Sequence, residues 1–312
     1  MGECLLLRSG GGKAALKGIS VKTPPTKIQY LEGETFDFSG MVISANFSGT
    51  LVDITSGYTC TPTVMGAADT TVTISYTVNG KTATTTQVMQ MNPYKPVLEE
   101  NSWATIADAC ANGLAKSLWA VGDQKTIDID GKSYIAKIVD FDHYDLANTD
   151  AKYDTGYNGG TNKNALTFLV FTSMGTGQMH STDSPSGWNV TKMRTETMPQ
   201  KLALFPQDLQ EALRTVTIKF ALKFVTGVNS GSSNDKLFLP GKWEIQADSD
   251  NVYTFESRFA YYAAGNSLGL PGVIWTRDKD DSNTWRTLNG LTGNSSASPS
   301  SSKYVICPVF CL

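Results

Sequence analysis

Few residues in this chain have the types and spacing that chemistry needs. There are two histidines, His143 and His180, and His143 lies in the run Asp140-Phe141-Asp142-His143-Tyr144-Asp145. Three aspartates beside a histidine are an oxygen-rich set of the kind a hard divalent cation takes. Their spacing fits no EF-hand loop and no paired-histidine metal motif is present, so His143 reads as a structural histidine that orients a strand end or hydrogen-bonds in the core. A second acidic run, Asp278, Asp280 and Asp281 around Lys279, reads as a solvated loop. Calcium is the one cofactor such a loop could take, and none is expected.

Nucleophilic catalysis fares no better. The Gly-x-Ser-x-Gly elbow of a serine hydrolase is absent, and Ser230-Gly231-Ser232-Ser233 reads as a flexible loop. The five cysteines, Cys4, Cys60, Cys110, Cys307 and Cys311, are odd in number and lack metal-ligand spacing. Cys307 and Cys311 would share a strand face but lie too far apart along it to bridge, so packed thiols are expected. No glycine motif for phosphate is present. The chain is therefore expected not to be an enzyme, with a glycan-active enzyme as the alternative if two carboxylates face each other across a cleft.

Contact chemistry is better represented. Trp and Tyr give large rigid contact area, while Ser, Asn and Asp give adaptable hydrogen bonds. Residues 271–312 mix the two: Trp275, Arg277, Asp278, Asp280, Asp281, Asn283, Trp285, Asn289, Asn294, Ser295 and Tyr304 lie between the apolar runs Val273-Ile274-Trp275 and Tyr304 to Phe310. The expectation is two strands clamping one long displayed loop, whose aromatic and polar side chains named above bind a ligand. Asn251, Tyr253, Tyr261 and Tyr262 would extend that surface.

The elements that must position these residues divide the chain. With 312 residues and 40% hydrophobic content it can hold two ordinary domains. Residues 1–18 read as an N-terminal anchoring arm with three glycines as a joint. Residues 19–92 are dense in Thr, Val, Ser and Gly and read as strands at Ile19–Val21, Lys27–Tyr30, Met41–Phe47, Leu51–Asp53, Thr71–Thr77 and Thr82–Met89, with a hairpin at Asn79-Gly80. Alternation of Val72, Ile74 and Tyr76 with polar residues predicts one buried face and one wet face. Residues 93–100, with Pro93-Tyr94-Lys95-Pro96, are an extended linker. Residues 101–312 mix helices (Trp103 to Asn112, Asn189 to Thr197, Pro206 to Arg214, Ser257 to Ala264) with strands (Thr126–Ile129, Ser133–Asp142, Leu166–Thr172, Thr215–Val225, Leu237–Leu239, Trp243–Ile245). The fold class is thus an all-β sandwich followed by an α+β domain.

Two resemblances go with this division. Ile19-Ser20-Val21, Pro24, Tyr30, Gly33-Glu34 and Phe36-Asp37 resemble bacterial Ig-like modules, which serve as spacers or adhesion units. Trp275-x-Arg277 and Val305-x-x-Pro308-x-Phe310 resemble the closing motif of C-type-lectin-like domains, including those of phage adhesins and formylglycine-generating-enzyme relatives. Earlier in the chain, Gly187-Trp188-Asn189, Met193-Arg194, Leu204-Phe205-Pro206, Leu209, Lys236 to Pro240 and Trp243-Glu244 resemble a domain of phage and prophage tail proteins. Arg277 is followed by Asp278 and a charged run where that family has Trp-x-x-Arg-Ser, and the calcium signature of sugar-binding lectins is missing.

The resemblance implies a virion surface protein of a bacteriophage, made in the host cytoplasm and released by lysis. Its lectin-like head would bind a host-surface glycan or protein, with the loop region diversified by a retroelement. The arm would dock onto other virion structural proteins, and the chain would form a homo-oligomer. A capsid decoration protein is the alternative among binding proteins. A net charge of −3 disfavours nucleic acid as a partner, and neither a transmembrane run nor a basic signal-peptide start is present, so membrane insertion is not expected.

Overall fold

The computed structural model describes residues 14–66, 68–181, 186–222, 230–246, 257–281 and 283–312. Residues 1–13 of the arm, with Cys4, lie outside the described residues, as do Asn251, Tyr253 and the end of the Thr215–Val225 strand. The chain forms two compact units divided between Lys95 and Pro96. Both are rich in β-structure. Among the described residues no helix is long and apolar enough to cross a membrane.

The first unit contains β1 (Leu16–Thr23), β2 (Gln29–Tyr30), β3 (Val42–Phe47), β4 (Thr50–Ile54), β5 (Tyr58–Thr61), β6 (Thr71–Val78), β7 (Lys81–Val88) and β8 (Gln90–Met91). Leu16 to Gly18, assigned above to the arm, belong to β1. Two three-stranded antiparallel sheets, β1-β3-β4 and β5-β6-β7, are joined by a parallel β2-β8 pair. The period-2 pattern accounts for the layering: Val72 and Ile74 of β6 are buried, while Thr71, Thr73, Thr84 and Thr86 face outward. Asn79 and Gly80 both take positive φ, the conformation a two-residue hairpin on twisted strands requires. Tyr30, Phe36, Met65, Val72 and Met89 form one core cluster. The Tyr30 hydroxyl reaches the carbonyls of Lys27 and Asp37, so its polar end is satisfied inside.

The second unit opens with a helix, Trp103–Ala111, whose first turn is capped by the Ser102 hydroxyl accepting from Thr105 N at 3.1 Å. Then follow β9 (Gln124–Ile129), β10 (Lys132–Phe141), β11 (Asp145–Leu146), β12 (Leu166–Val170), β13 (Thr176–Gln178), β14 (Val216–Ala221), β15 (Ser230–Asp235) and β16 (Leu237–Phe238). The chain closes with β17 (Val273–Lys279), β18 (Thr284–Asn289), β19 (Ser295–Pro299), β20 (Lys303–Val305) and β21 (Val309–Cys311). One five-stranded sheet runs β16-β21-β12-β10-β9 and another β13-β20-β17-β18-β19, with a three-stranded β11-β14-β15 sheet besides. The closing strand β21 sits between β16 and β12, where Phe310 stacks on Phe168 at 5.1 Å and meets Trp103 edge-on at 5.9 Å.

Several expectations need correction. Residues 276–303 are not one long loop but a meander of β17, β18 and β19 followed by β20. The sequence hid this because its strands carry Thr, Asn, Ser and Arg in place of an apolar alternation. Ser230 to Ser233, read as a flexible loop, lie in the edge strand β15 (Ser230–Asp235), paired in full register with β14. Gly231 fits there because a Cβ would come within 2.5 Å of the Phe220 ring. Trp243–Ile245, read as a strand, lies in a helical turn, Lys242–Ile245, that starts at Gly241 and is closed by the Glu244 carboxylate accepting from Gly241 N at 2.7 Å. Asn189 to Thr197 is not one helix but a 3-10 turn, Trp188–Val190, and a π-helical segment, Met193–Thr197, running into Met198–Leu202. Cys60, Cys110, Cys307 and Cys311 are free thiols, the last three buried.

The β18–β19 connection depends on a close approach at Gly290, where a Cβ would lie 2.3 Å from the Leu270 carbonyl oxygen. Backbone cannot swing aside as a side chain can. Gly290→Ala is expected to destabilise the protein by about 1–3 kcal/mol through overpacking, whereas Gly18→Ala, with open space around its Cβ position, is expected to stay near wild type. Urea unfolding midpoints of the two variants check this, and equal midpoints would refute it.

Candidate functional site

Among the described residues of the second unit, an extensive polar network is buried, and β17 builds it. From Ile274 to Lys279 every side chain of this strand is enclosed. The β17–β18 register is irregular between Trp275 and Lys279, and in that interval Arg277 N bonds to Pro240 O at 3.0 Å. An irregularity of this kind re-aims side chains, here Arg277 and Asp278, toward neighbouring segments.

Arg277 is 1% exposed and Glu244 0%. They form a two-pronged ion pair, Nη1 to Oε2 at 2.7 Å and Nη2 to Oε1 at 2.5 Å. The guanidinium also donates from Nε to Lys219 O at 2.7 Å and from Nη1 to Leu239 O at 3.1 Å. Glu244 Oε1 accepts from the Tyr144 hydroxyl at 2.6 Å, and Oε2 from Gly241 N. Asp278 accepts from Ala221 N at 3.1 Å and from Lys242 N at 2.7 Å. Gly241 packs tightly here, where a Cβ would stand 3.3 Å from the Arg277 guanidinium.

His143 extends the network. Its Nδ1 lies 2.7 Å from Asp140 Oδ2, and its ring is held between Tyr144 and Phe259 at 4.5 and 4.7 Å. Nε2 stands 3.5 Å from Glu244 Oε1, an ion-pair distance without hydrogen-bond geometry. Asp140 also accepts from Ala260 N at 3.2 Å, which ties β10 to the short helix Ala260–Ala263. His143 is thus enclosed and hydrogen-bonded, as a structural histidine is.

These contacts set the charges. Burial alone would push the His143 pKa down, but the Asp140 hydrogen bond and the adjacent Glu244 outweigh it and raise it to about 9. Burial would push Glu244 up, yet the Arg277 charge and the neighbouring His143 bring it down to about 2. Asp278 moves upward because burial dominates its partners. At neutral pH the centre therefore contains a guanidinium and an imidazolium facing carboxylates. Its polar groups are largely saturated by protein, so it serves to fix segments together.

The expected ligand-binding residues are consequently dispersed. Trp275, Arg277, Asp278 and Trp285 are buried, against the expectation that they line a displayed surface. The Trp275 indole donates to Gly177 O at 2.8 Å and packs edge-on against Tyr304 at 4.9 Å, and the Tyr304 hydroxyl accepts from Ser298. Asp280 is half-buried and paired with Arg286 at 2.6 Å. Asp281 and Asn283 are exposed at the β17–β18 turn, while Asn294 is exposed and Asn289 half-buried around the β18–β19 turn. Asn289 shapes that turn by accepting from Leu291 N and Thr292 N. The two turns lie at opposite ends of β18, about 20 Å apart at strand rise. Asp278 accepts from backbone N–H groups while Asp280 pairs with Arg286, and among the described residues no group of three or more His, Cys, Asp or Glu side chains is placed to hold a metal.

Glu244, Tyr144 and Lys219 were missed as partners of Arg277. Trp243-Glu244 stood out as a motif, but a pairing across 33 residues leaves no periodic signal. No protein-family model matches the chain, and no curated protein matches it in sequence.

Glu244→Ala leaves the buried Arg277 guanidinium without its ion-pair partner, and is expected to cost about 3–5 kcal/mol, more than Arg277→Met combined with Glu244→Leu, which removes both ends of the pair. Urea titrations of the three proteins check the order. The pH dependence has two limbs. The raised His143 pKa contributes stability that is full below about 6.5 and is lost as pH rises through about 9, while the lowered Glu244 pKa contributes stability that is lost as pH falls from about 4.5 toward about 2. His143→Gln is expected to flatten the alkaline limb between pH 6.5 and 9 in thermal scans. An unchanged limb would show that His143 is not its source.

Proposed function

We propose that the chain is a virion surface protein in which residues 19–92 form an Ig-like module and residues 101–312 a C-type-lectin-like domain that binds a host-surface glycan or protein. The observation that supports this reading best is the β17–β18–β19 meander. Its base is fixed by the buried Arg277–Glu244 pair, and its turns carry exposed polar and apolar side chains: Asp281 and Asn283 at one end, Leu291 and Asn294 at the other. Leu291 is 81% exposed, the most open of the large apolar side chains among the described residues. A rigid scaffold that presents short exposed turns suits recognition, since little ordering entropy is lost on binding. The first unit, with saturated sheets and a wet threonine face, suits a spacer.

Because the turns lie at opposite ends of a strand, a single small ligand does not span both. One turn carries the contact. Full-length protein labelled with a fluorophore and incubated with intact candidate host cells is expected to bind, and one of the double variants Asp281→Ala/Asn283→Ala or Leu291→Ala/Asn294→Ala is expected to weaken binding about tenfold or more, with folding unchanged. Full binding by both variants would remove the turns as the contact. Absence of cell binding by a folded protein that decorates virions would replace adhesion with a structural role.

A further inference from the structure

Most charged side chains in the second unit that leave the solvent meet an opposite charge or a full set of hydrogen bonds. Lys137 does not. It sits on β10, half-buried, with its Nζ 4.7 Å from the centre of the Phe171 ring and 5.9 Å from that of Tyr261. Among the described residues no carboxylate lies within ion-pair distance of it. Its ammonium is compensated only by ring faces, which attract a cation but do not neutralise it.

The surroundings are aromatic. Phe171 and Tyr261 meet edge to face with centroids 5.6 Å apart, and both rings are half-buried. Gly122 flanks Tyr261 and Gly269 flanks Phe171, where added Cβ atoms would lie 3.8 and 3.7 Å from the rings. Gln124 of β9 is the register partner of Lys137, so the two side chains share a face of the sheet, and Gln124 is exposed. Phe171 is fixed by its N–H bonding to Ile135 O at 2.7 Å, and Tyr261 by the helix Ala260–Ala263 anchored through Ala260 N on Asp140. The rings are thus held by elements that tie into the buried charge centre.

We infer that Lys137, Phe171, Tyr261 and Gln124 form a binding site for a carboxylated sugar, a site separate from the β17–β19 turns. A pyranose has apolar C–H faces that pack on an aromatic ring, and a carboxylate one bond off the ring lies within reach of an ammonium about 5 Å from that ring centre. An Asp or Glu side chain of a peptide offers the carboxylate without the apolar face. The Gln124 amide adds a donor and an acceptor suited to sugar hydroxyls.

The test titrates the full-length protein with 3′-sialyllactose and, separately, with lactose, acetate and a hexaglutamate peptide. Sialyllactose is expected to bind at least about tenfold tighter than lactose or acetate, since either half alone loses one of the two contacts. Lys137→Met and Tyr261→Ala are expected to lower its affinity about tenfold, and Lys137→Arg to keep it within about threefold, because a cation survives over the rings. Lys137→Met is at the surface, and unchanged thermal unfolding verifies its fold. Equal binding of lactose and sialyllactose, retention of affinity in Lys137→Met, or tighter binding of hexaglutamate through the same residues would each overturn the assignment. The display reading stands or falls separately, since a protein that binds cells but not the acidic sugar refutes only this site.

Discussion

Placing a guanidinium and a carboxylate out of water costs several kcal/mol per ion, and that cost has to be offset where they meet. Arg277 and Glu244 meet it with a two-pronged bond plus acceptors from Lys219 and Leu239 and donors from Tyr144 and Gly241. Each of those partners belongs to a different stretch: β14, the residue after β16, the end of β10's following turn, and the Gly241 turn. An ion pair with so many third parties is satisfied only when all of them have arrived. The unit is therefore expected to gain little from partial assembly around this centre, which makes its folding strongly cooperative. Arg277 contributes specificity of arrangement more than net stability.

The same constraint governs what the surface can do. β17 is enclosed on both faces from Ile274 to Lys279, so the residues that could contact anything outside are displaced to the turns and to neighbouring strands. Trp275 and Trp285, with the largest apolar surface in the closing segment, are committed to the interior. What the meander shows to solvent is mostly small and polar, with Leu291 as its largest apolar side chain among the described residues. Recognition through such turns relies on position more than on buried area, and modest single contacts become useful when many copies act together.

Legibility from sequence followed the physics of each element. Strands of the first unit could be read because one face is wet and one dry: Val72 and Ile74 against Thr71 and Thr73. The Asn79-Gly80 turn and the Ser102 cap are local signals and needed no tertiary context. The closing segment failed because β18 and β19 carry Thr, Asn, Ser and Ala, whose strand character comes from pairing with β17 and not from their own alternation. Aromatics and charges in a polar stretch look like a contact surface. Here the same composition served an interior, since Arg277 and Asp278 are buried with their partners and Trp275 has a carbonyl for its indole. Only the burial of a charge with a distant partner separates those cases, and a single sequence does not carry that pairing.

Two cations of the second unit illustrate how the distinction is drawn once structure is available. Arg277 is more deeply enclosed than Lys137, yet it is surrounded by carboxylate and carbonyl oxygens, so no ligand is needed to satisfy it. Lys137 is nearer the solvent, where pairing with a surface carboxylate would be easy, and its face offers two aromatic rings and an amide instead. A cation whose environment is complete acts as scaffold. One whose environment is aromatic on one side and open on the other still has an electrostatic requirement, and an anion carried on an apolar ring meets both halves of it. Incompleteness of this kind is a stronger pointer to a ligand than exposure or composition alone.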